Sequence, residues 1–230
     1  YEYGDEGTMA FIVMEYVDGQ ELKDFLRQGR RFELIDVFEI MKQLLGALDY
    51  AHKQGVVHRD IKPANLMILP GPKVKVMDFG IARLGTSSLT QVGTVVGTPT
   101  HMSPEQLTGI PADGRVDIWS SGVILYELLT GVSPFLADTP AAVMHRVMQV
   151  NPDPPSSLNA ALPAGFDVVV ARALAKKADD RFPTARDFQD RQIDAEPLFI
   201  HVARYAATLK GNTQVGLVVG ATFPEQLRDV

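Results

Sequence analysis

Residues 56–68 read VVHRDIKPANLMI, with His58, Arg59, Asp60, Lys62 and Asn65 held between two apolar runs. A carboxylate, an ammonium and a carboxamide this close together can share one task. Asp60 can accept or orient the proton of a hydroxyl, with the Lys62 ammonium two residues on. Asn65 offers an oxygen to a hard cation. A second carboxylate, Asp78, follows eighteen positions after Asp60 in the stretch MDFG, where a strand-like run meets a glycine that permits a sharp turn. One carboxylate and one carboxamide, with phosphate oxygens completing the shell, is a common way of holding Mg²⁺. Each piece alone is weak, and single histidines such as His52, His101, His145 and His201 read as structural rather than as ligands.

The elements that must position these groups follow from periodicity. MAFIVMEYV (9–17) is apolar and β-rich after a GDEG turn at 4–7, the second half of a hairpin. QELKDFLRQ (20–28) suits a short helix closed by Gly29. Apolar residues at 34, 37, 38, 41, 44, 45, 48 and 51 predict a helix from Glu33 to Lys53 buried along one face. LMIL and KVKVMDF form a second hairpin around the PGPK turn, which places Asn65 and Asp78 at its two ends. Residues 83–100 are rich in Gly, Ser and Thr and aperiodic, which predicts a long functional or mobile loop. DIWSSGVILYELLTG (117–131) is apolar nearly all round, as in a helix at the centre of a domain, and helical patterns resume at 139–149, 163–175 and 183–190.

At 230 residues, with 46% hydrophobic and 22% charged residues, the chain is a normal globular mixture. Its formal charge of −6 argues against a general nucleic-acid binder. GRR (29–31) and KK (176–177) are too short to alter that and read as solvated surface. The absence of cysteine excludes disulfides and cysteine-ligated metals and suits a reducing compartment. No apolar run reaches the ~18 residues of a membrane span. YEYGDEGTMA has neither the basic region nor the apolar core of a signal peptide, so a cytoplasmic fragment is the simplest expectation.

HRDIKPAN followed by DFG resembles the catalytic loop and metal-binding segment of protein kinases. The resemblance runs over residues 1–190. MEYVDG looks like the adenine-binding hinge, GTPTHMSPE like the end of an activation segment, and DIWSSGVILYELLTGVSPF like the central helix that anchors the catalytic loop. DRFPTARDF resembles the last conserved stretch. KPAN, with GT at 97–98, follows the Ser/Thr pattern, and the wording is most similar to eukaryotic-like Ser/Thr kinases of bacteria.

The resemblance implies an α+β kinase-like fold, chiefly the helical lobe (18–190) with a remnant of the small lobe (1–17), and transfer of the ATP γ-phosphoryl to protein Ser/Thr hydroxyls. It implies Asp60 as base or orienter, Lys62 at the γ-phosphate, and Asn65 and Asp78 on Mg²⁺. Around ATP it places Met14 at the back of the adenine pocket, the backbone of Glu15 and Val17 on the base, Glu21 beside the nucleotide and Met67 as the floor. Arg59 would pair with a phosphate on Thr90 or Thr94, with Thr98 in the same regulatory segment. Glu105 and Arg181 would form a buried structural pair, and Asp117 would hold the catalytic-loop backbone. Protein substrates are the implied partners, and the resemblance allows a dimer for autophosphorylation.

The chain shows no Gly-rich loop, no strand Lys upstream of Met14 and no helix Glu to pair with it. The expectation is therefore a kinase domain truncated at both ends, its own turnover impaired. An inactive kinase-like binding or scaffold module stays open as the alternative. Residues 191–230 depart from the kinase pattern: 198–209 suit an amphipathic helix, VGLVVGA (215–221) a buried strand, and Thr222 with Glu225 a capping box. That short α/β segment resembles a piece of bacterial orotidine-5′-phosphate decarboxylase. A single barrel unit cannot close a barrel, so it carries no expectation of decarboxylase activity.

Overall fold

The computed structural model describes residues 2–6, 9–13, 15–71, 73–79 and 99–194. The chain divides into two compact units, Tyr1–Ala195 and Glu196–Val230, and the second lies outside the described residues. The first unit is α+β, with two small antiparallel sheets and a mainly helical body. β1 (Glu2–Glu6) pairs with β2 (Met9–Val13) in the register Glu2↔Val13 to Glu6↔Met9. Gly4, Asp5 and Glu6 are thus strand residues rather than part of the turn predicted at 4–7.

β3 (Gln20–Glu21) leads into α1 (Leu22–Arg27), and Gly29 ends that turn at φ +70°. α2 runs Leu34–Lys53 and buries Val37, Phe38, Ile40, Met41, Leu44, Leu45, Leu48 and Ala51 against α4, α8 and β5. After it, the chain crosses the loop that carries His58 to Lys62. A single 3₁₀ turn (Pro63–Asn65) then leads into β4 (Leu66–Leu69), which pairs on one side with β3 and on the other with β5 (Lys73–Val76). The remaining helices are α3 (Pro104–Thr108), α4 (Arg115–Thr130), α5 (Pro140–Gln149), α6 (Pro155–Leu158), α7 (Gly165–Ala173) and α8 (Ala185–Asp194). α4 is buried from Val116 to Thr130 without interruption, so it is the axis on which the other helices pack. Trp119 stacks on Phe135 at 5.3 Å, and Phe182 on Phe188 at 4.9 Å.

One sequence expectation about charge is corrected, at Lys176, while Lys177 and the GRR arginines are exposed as expected. The arginines nonetheless make directed contacts. Arg30 lies over the rings of Phe25 and Phe32, and Arg31 donates to the carbonyl of Thr130 at the C-terminal end of α4. Lys176 is half-buried. Its Nζ donates to the carbonyls of Val147 (2.9 Å) and Val150 (2.7 Å), where α5 ends, and lies over Phe135 at 4.6 Å. A cation on the negative end of a helix dipole explains both placements.

Burial holds the Lys176 pKa down at about 8, with the Arg181 charge adding to the effect. The folded value lies below the ordinary 10.5, so between these pH values the unfolded chain keeps a proton that the folded chain has released. Stability from this group therefore rises as pH rises through that window. Urea unfolding of wild type against Lys176→Met should show the wild-type advantage growing from pH 8 to 10.5. A constant difference would contradict it.

Candidate active site

The site is assembled by a few short-range ties. Asp117, fully buried in the first turn of α4, accepts hydrogen bonds from the backbone N–H of His58 (2.9 Å, Oδ2) and of Arg59 (2.7 Å, Oδ1). His52, at the end of α2, lies 2.8 Å from the same Oδ2. One carboxylate thus grips two successive loop amides. Between those ties Arg59 takes the left-handed conformation at φ 67°, a strained choice for a non-glycine residue that surrounding contacts must hold. A further contact on Arg59 is its carbonyl, which accepts from Gln106 Nε2 at 2.7 Å.

His58 joins the loop to the second carboxylate. Its Nε2 lies 2.7 Å from the carbonyl of Met77, and its Nδ1 accepts from the N–H of Asp60 at 3.3 Å. A ring nitrogen that accepts leaves the other to carry the proton, so His58 is the Nε2–H tautomer. Met77 N–H in turn donates to the carbonyl of Asn65 at 2.8 Å. Asp78 leaves directly from this doubly tied residue and is also left-handed, at φ 54°. The two ends of the β4–β5 hairpin are therefore held together.

Within the loop, Asp60 Oδ2 accepts from Lys62 Nζ at 2.7 Å and from Asn65 Nδ2 at 3.0 Å, while the same Nδ2 also donates to the Asp60 carbonyl at 2.7 Å. Both amide hydrogens of the buried Asn65 are thus spent on Asp60, which leaves its Oδ1 as an acceptor with no donor among the described residues. Asp78 is exposed, and its carboxylate has no partner among the described residues either. A free carboxamide oxygen and a free carboxylate, both hard donors, fit Mg²⁺ that arrives with phosphate oxygens and water.

Among the other predicted residues, Glu21 and Met67 sit opposite each other across β3 and β4. Glu21 approaches Lys23 Nζ at 2.7 Å without hydrogen-bonding geometry. Glu15 pairs with Lys75, and Val17 is half-buried. Met14, Thr90, Thr94 and Thr98 lie outside the described residues. Arg181 and Glu105 meet in a bidentate pair at 2.6 and 2.8 Å.

Two contributors escape the sequence. Gln106 closes a capping box with Ser103, which SPEQ does signal, but its bond to Arg59 is long-range and unsignalled. His52 sits at the edge of the buried stripe of α2, where periodicity cannot separate a loop tie from surface.

Gly114, just before α4, makes room for it: a Cβ there would lie 2.8 Å from His52 Nδ1. Gly114→Ala should displace the ring, loosen the grip on Asp117 and cost about 1–3 kcal/mol in urea unfolding. An unchanged midpoint would refute the close approach.

A loop carrying Asp60, Lys62 and Asn65 is thus tied to a strand end carrying Asp78 and anchored on a buried central helix. The model of the protein kinase domain matches residues 1–191, and the chain belongs to that family. It is similar to a probable serine/threonine-protein kinase of Clostridium acetobutylicum, 40% identical over 191 residues, covering 83% of this chain and 29% of that protein. It is also similar to the serine/threonine-protein kinases PknB of Mycolicibacterium smegmatis (43% over 186 residues) and Mycobacterium leprae (42% over 185 residues), covering 80% of this chain and 30% of each relative. The chain thus spans under a third of the length of these curated relatives. No helix among the described residues is long and apolar enough to cross a membrane.

Proposed function

We propose that this domain transfers the γ-phosphoryl of ATP to Ser or Thr hydroxyls of protein substrates. The observation that carries this is the Asp60–Lys62–Asn65 cluster, whose free Asn65 oxygen shares a tied hairpin with Asp78. Asp60 takes the proton of the attacking hydroxyl as the new O–P bond forms and the bond to the bridging oxygen breaks, releasing ADP. Lys62, on a flexible stem, moves from Asp60 to the γ-phosphoryl oxygens. Asn65 and Asp78 hold Mg²⁺, which when bound neutralises phosphate charge. The backbone of Glu15 and Val17 binds adenine, Met14 and Met67 enclose it, and Glu21 lies at its rim. A phosphate on Thr90 or Thr94 meets the Arg59 guanidinium, which has no partner among the described residues, and Thr98 lines the same segment. The family uses ATP with Mg²⁺ generally, in keeping with this assignment.

The test is transfer of labelled γ-phosphate from ATP to myelin basic protein or casein by the chain itself. Transfer to Ser or Thr that needs Mg²⁺ is the expected result. Mg²⁺-dependent nucleotide binding without transfer would instead favour the scaffold reading.

A further inference from the structure

A cavity of about 460 Å³ is bounded by the 151–154 loop after α5, by α7 and by the turn that follows α7. Pro152, Pro155, Val170 and Leu174 give it apolar walls. Asp153, Asp167 and Asp180 line it beside Lys176 and Lys177, so its charged lining carries an excess of carboxylate. It shares no residue with Asp60, Lys62, Asn65 or Asp78.

Lys176 is the nucleophile of this lining. Its Nζ reaches three carbonyls at the end of α5: Val150 at 2.7 Å, Val147 at 2.9 Å and Arg146 at 3.4 Å. It also lies over the rings of Phe135 at 4.6 Å and Trp119 at 5.0 Å. An ammonium spends its three hydrogens on those carbonyls. A neutral amine has two hydrogens and a lone pair, so it can keep the two short bonds and give up the long one. Burial, with the Arg181 charge, favours that neutral form. A desolvated lysine at the wall of a partly apolar cavity is the usual setting of an activated amine.

We propose that Lys176 is a site of covalent acylation by a small, uncharged acyl thioester seated in this cavity. The amine attacks the carbonyl carbon, and the N–C bond forms as the C–S bond breaks. The proton lost by the nitrogen passes to the departing thiolate, leaving an amide and a free thiol. The proline, valine and leucine walls take the acyl chain. The excess of carboxylate selects against an anionic donor such as an acyl phosphate. The amide left on Lys176 has one N–H and no charge, so it cannot serve all three carbonyls, and the end of α5 registers the modification. None of this depends on phosphotransfer.

The test needs no turnover. The chain is incubated with S-butyryl-N-acetylcysteamine at mildly alkaline pH, and acylation of each lysine is followed by peptide mass spectrometry. Lys176 should react about tenfold or more faster than the exposed Lys177 beside it and the exposed Lys73 of β5. That preference should vanish in denaturing urea and shrink when butyryl phosphate replaces the thioester. Ala171→Trp, at an exposed position of α7 that lines the cavity, should slow Lys176 and leave Lys73 unchanged. The comparison of native with urea-treated chain uses no variant, so it decides the matter even if Ala171→Trp does not fold. The proposal is overturned if Lys176 reacts no faster than Lys177 and Lys73 in the native chain, or if its preference persists in urea. It is equally overturned if butyryl phosphate shows the same preference, or if folded Ala171→Trp acylates Lys176 at the wild-type rate.

Discussion

Asp60→Asn is expected to lower the phosphotransfer rate about 10²–10⁴-fold while leaving the fold and nucleotide affinity intact. Asparagine keeps the shape of Asp60, and its remaining oxygen can still accept from Asn65 Nδ2, which lies 3.0 Å from Asp60 Oδ2 in the wild type. The Asp60 carbonyl, which accepts from the same Nδ2 at 2.7 Å, is unaffected. The loop is anchored elsewhere, through Asp117 and His58, so loop geometry does not depend on the Asp60 charge. What the substitution removes is the group able to take the proton of the attacking hydroxyl. The loss should therefore appear in kcat, with KM for ATP within about twofold of wild type. Residual kcat above a tenth of wild type, with an unchanged melting temperature, would remove Asp60 from the role of base.

Much of the helical body is legible from periodicity because its burial is strongly patterned. Seven of the eight apolar positions read for α2 are buried, and Ile40 joins them. The buried arc is wider than a single stripe because α4 and α8 both pack on this helix. α4 reads as central because almost every one of its residues is apolar or small, and all from Val116 onward are buried. The proposed site residues are read for a different reason. Asp60, Lys62, Asn65 and Asp78 stand in motifs that resemble those of protein kinases, where residue type and spacing go together.

The basic pairs illustrate what is not legible. GRR and KK carry no periodic signal, and their partners lie far along the chain. Arg31 reaches a carbonyl 99 positions away, and Lys176 reaches carbonyls 26 and 29 positions away. A helix C-terminus recruits whichever cation the tertiary fold brings near, so only the assembled structure decides which basic residues take up such a contact. His52 belongs to the same class. Its value comes from Asp117, 65 positions on, and from a glycine that lets the ring approach.

Glu105→Gln should cost about 3–5 kcal/mol, a fall of roughly 10 °C in melting temperature. Arg181 is 2% exposed, and its guanidinium donates throughout. Nε reaches Ala175 O at 2.8 Å, Nη1 reaches Glu105 Oε1 and Arg115 O at 2.6 and 3.0 Å, and Nη2 reaches Glu105 Oε2 and Lys176 O at 2.8 and 3.1 Å. Glutamine can keep at most one of the two Glu105 bonds and none of the charge, so the guanidinium stays buried without its counter-ion. The pair is worth this much because three further carbonyls share the guanidinium and Trp119 lies 5.0 Å beneath it. Burial works to raise the Glu105 pKa, but hydrogen bonding and the charge of Arg181 outweigh it and hold the group below the ordinary carboxylate range. The folded value therefore lies under the unfolded one, and the stabilisation is present above the unfolded pKa and lost as pH falls through the folded one. The gap between wild type and variant should accordingly narrow on acidification below about pH 4. A gap that stays constant from neutral pH into that range would mean that the cost comes from packing alone and that the Glu105 charge contributes nothing.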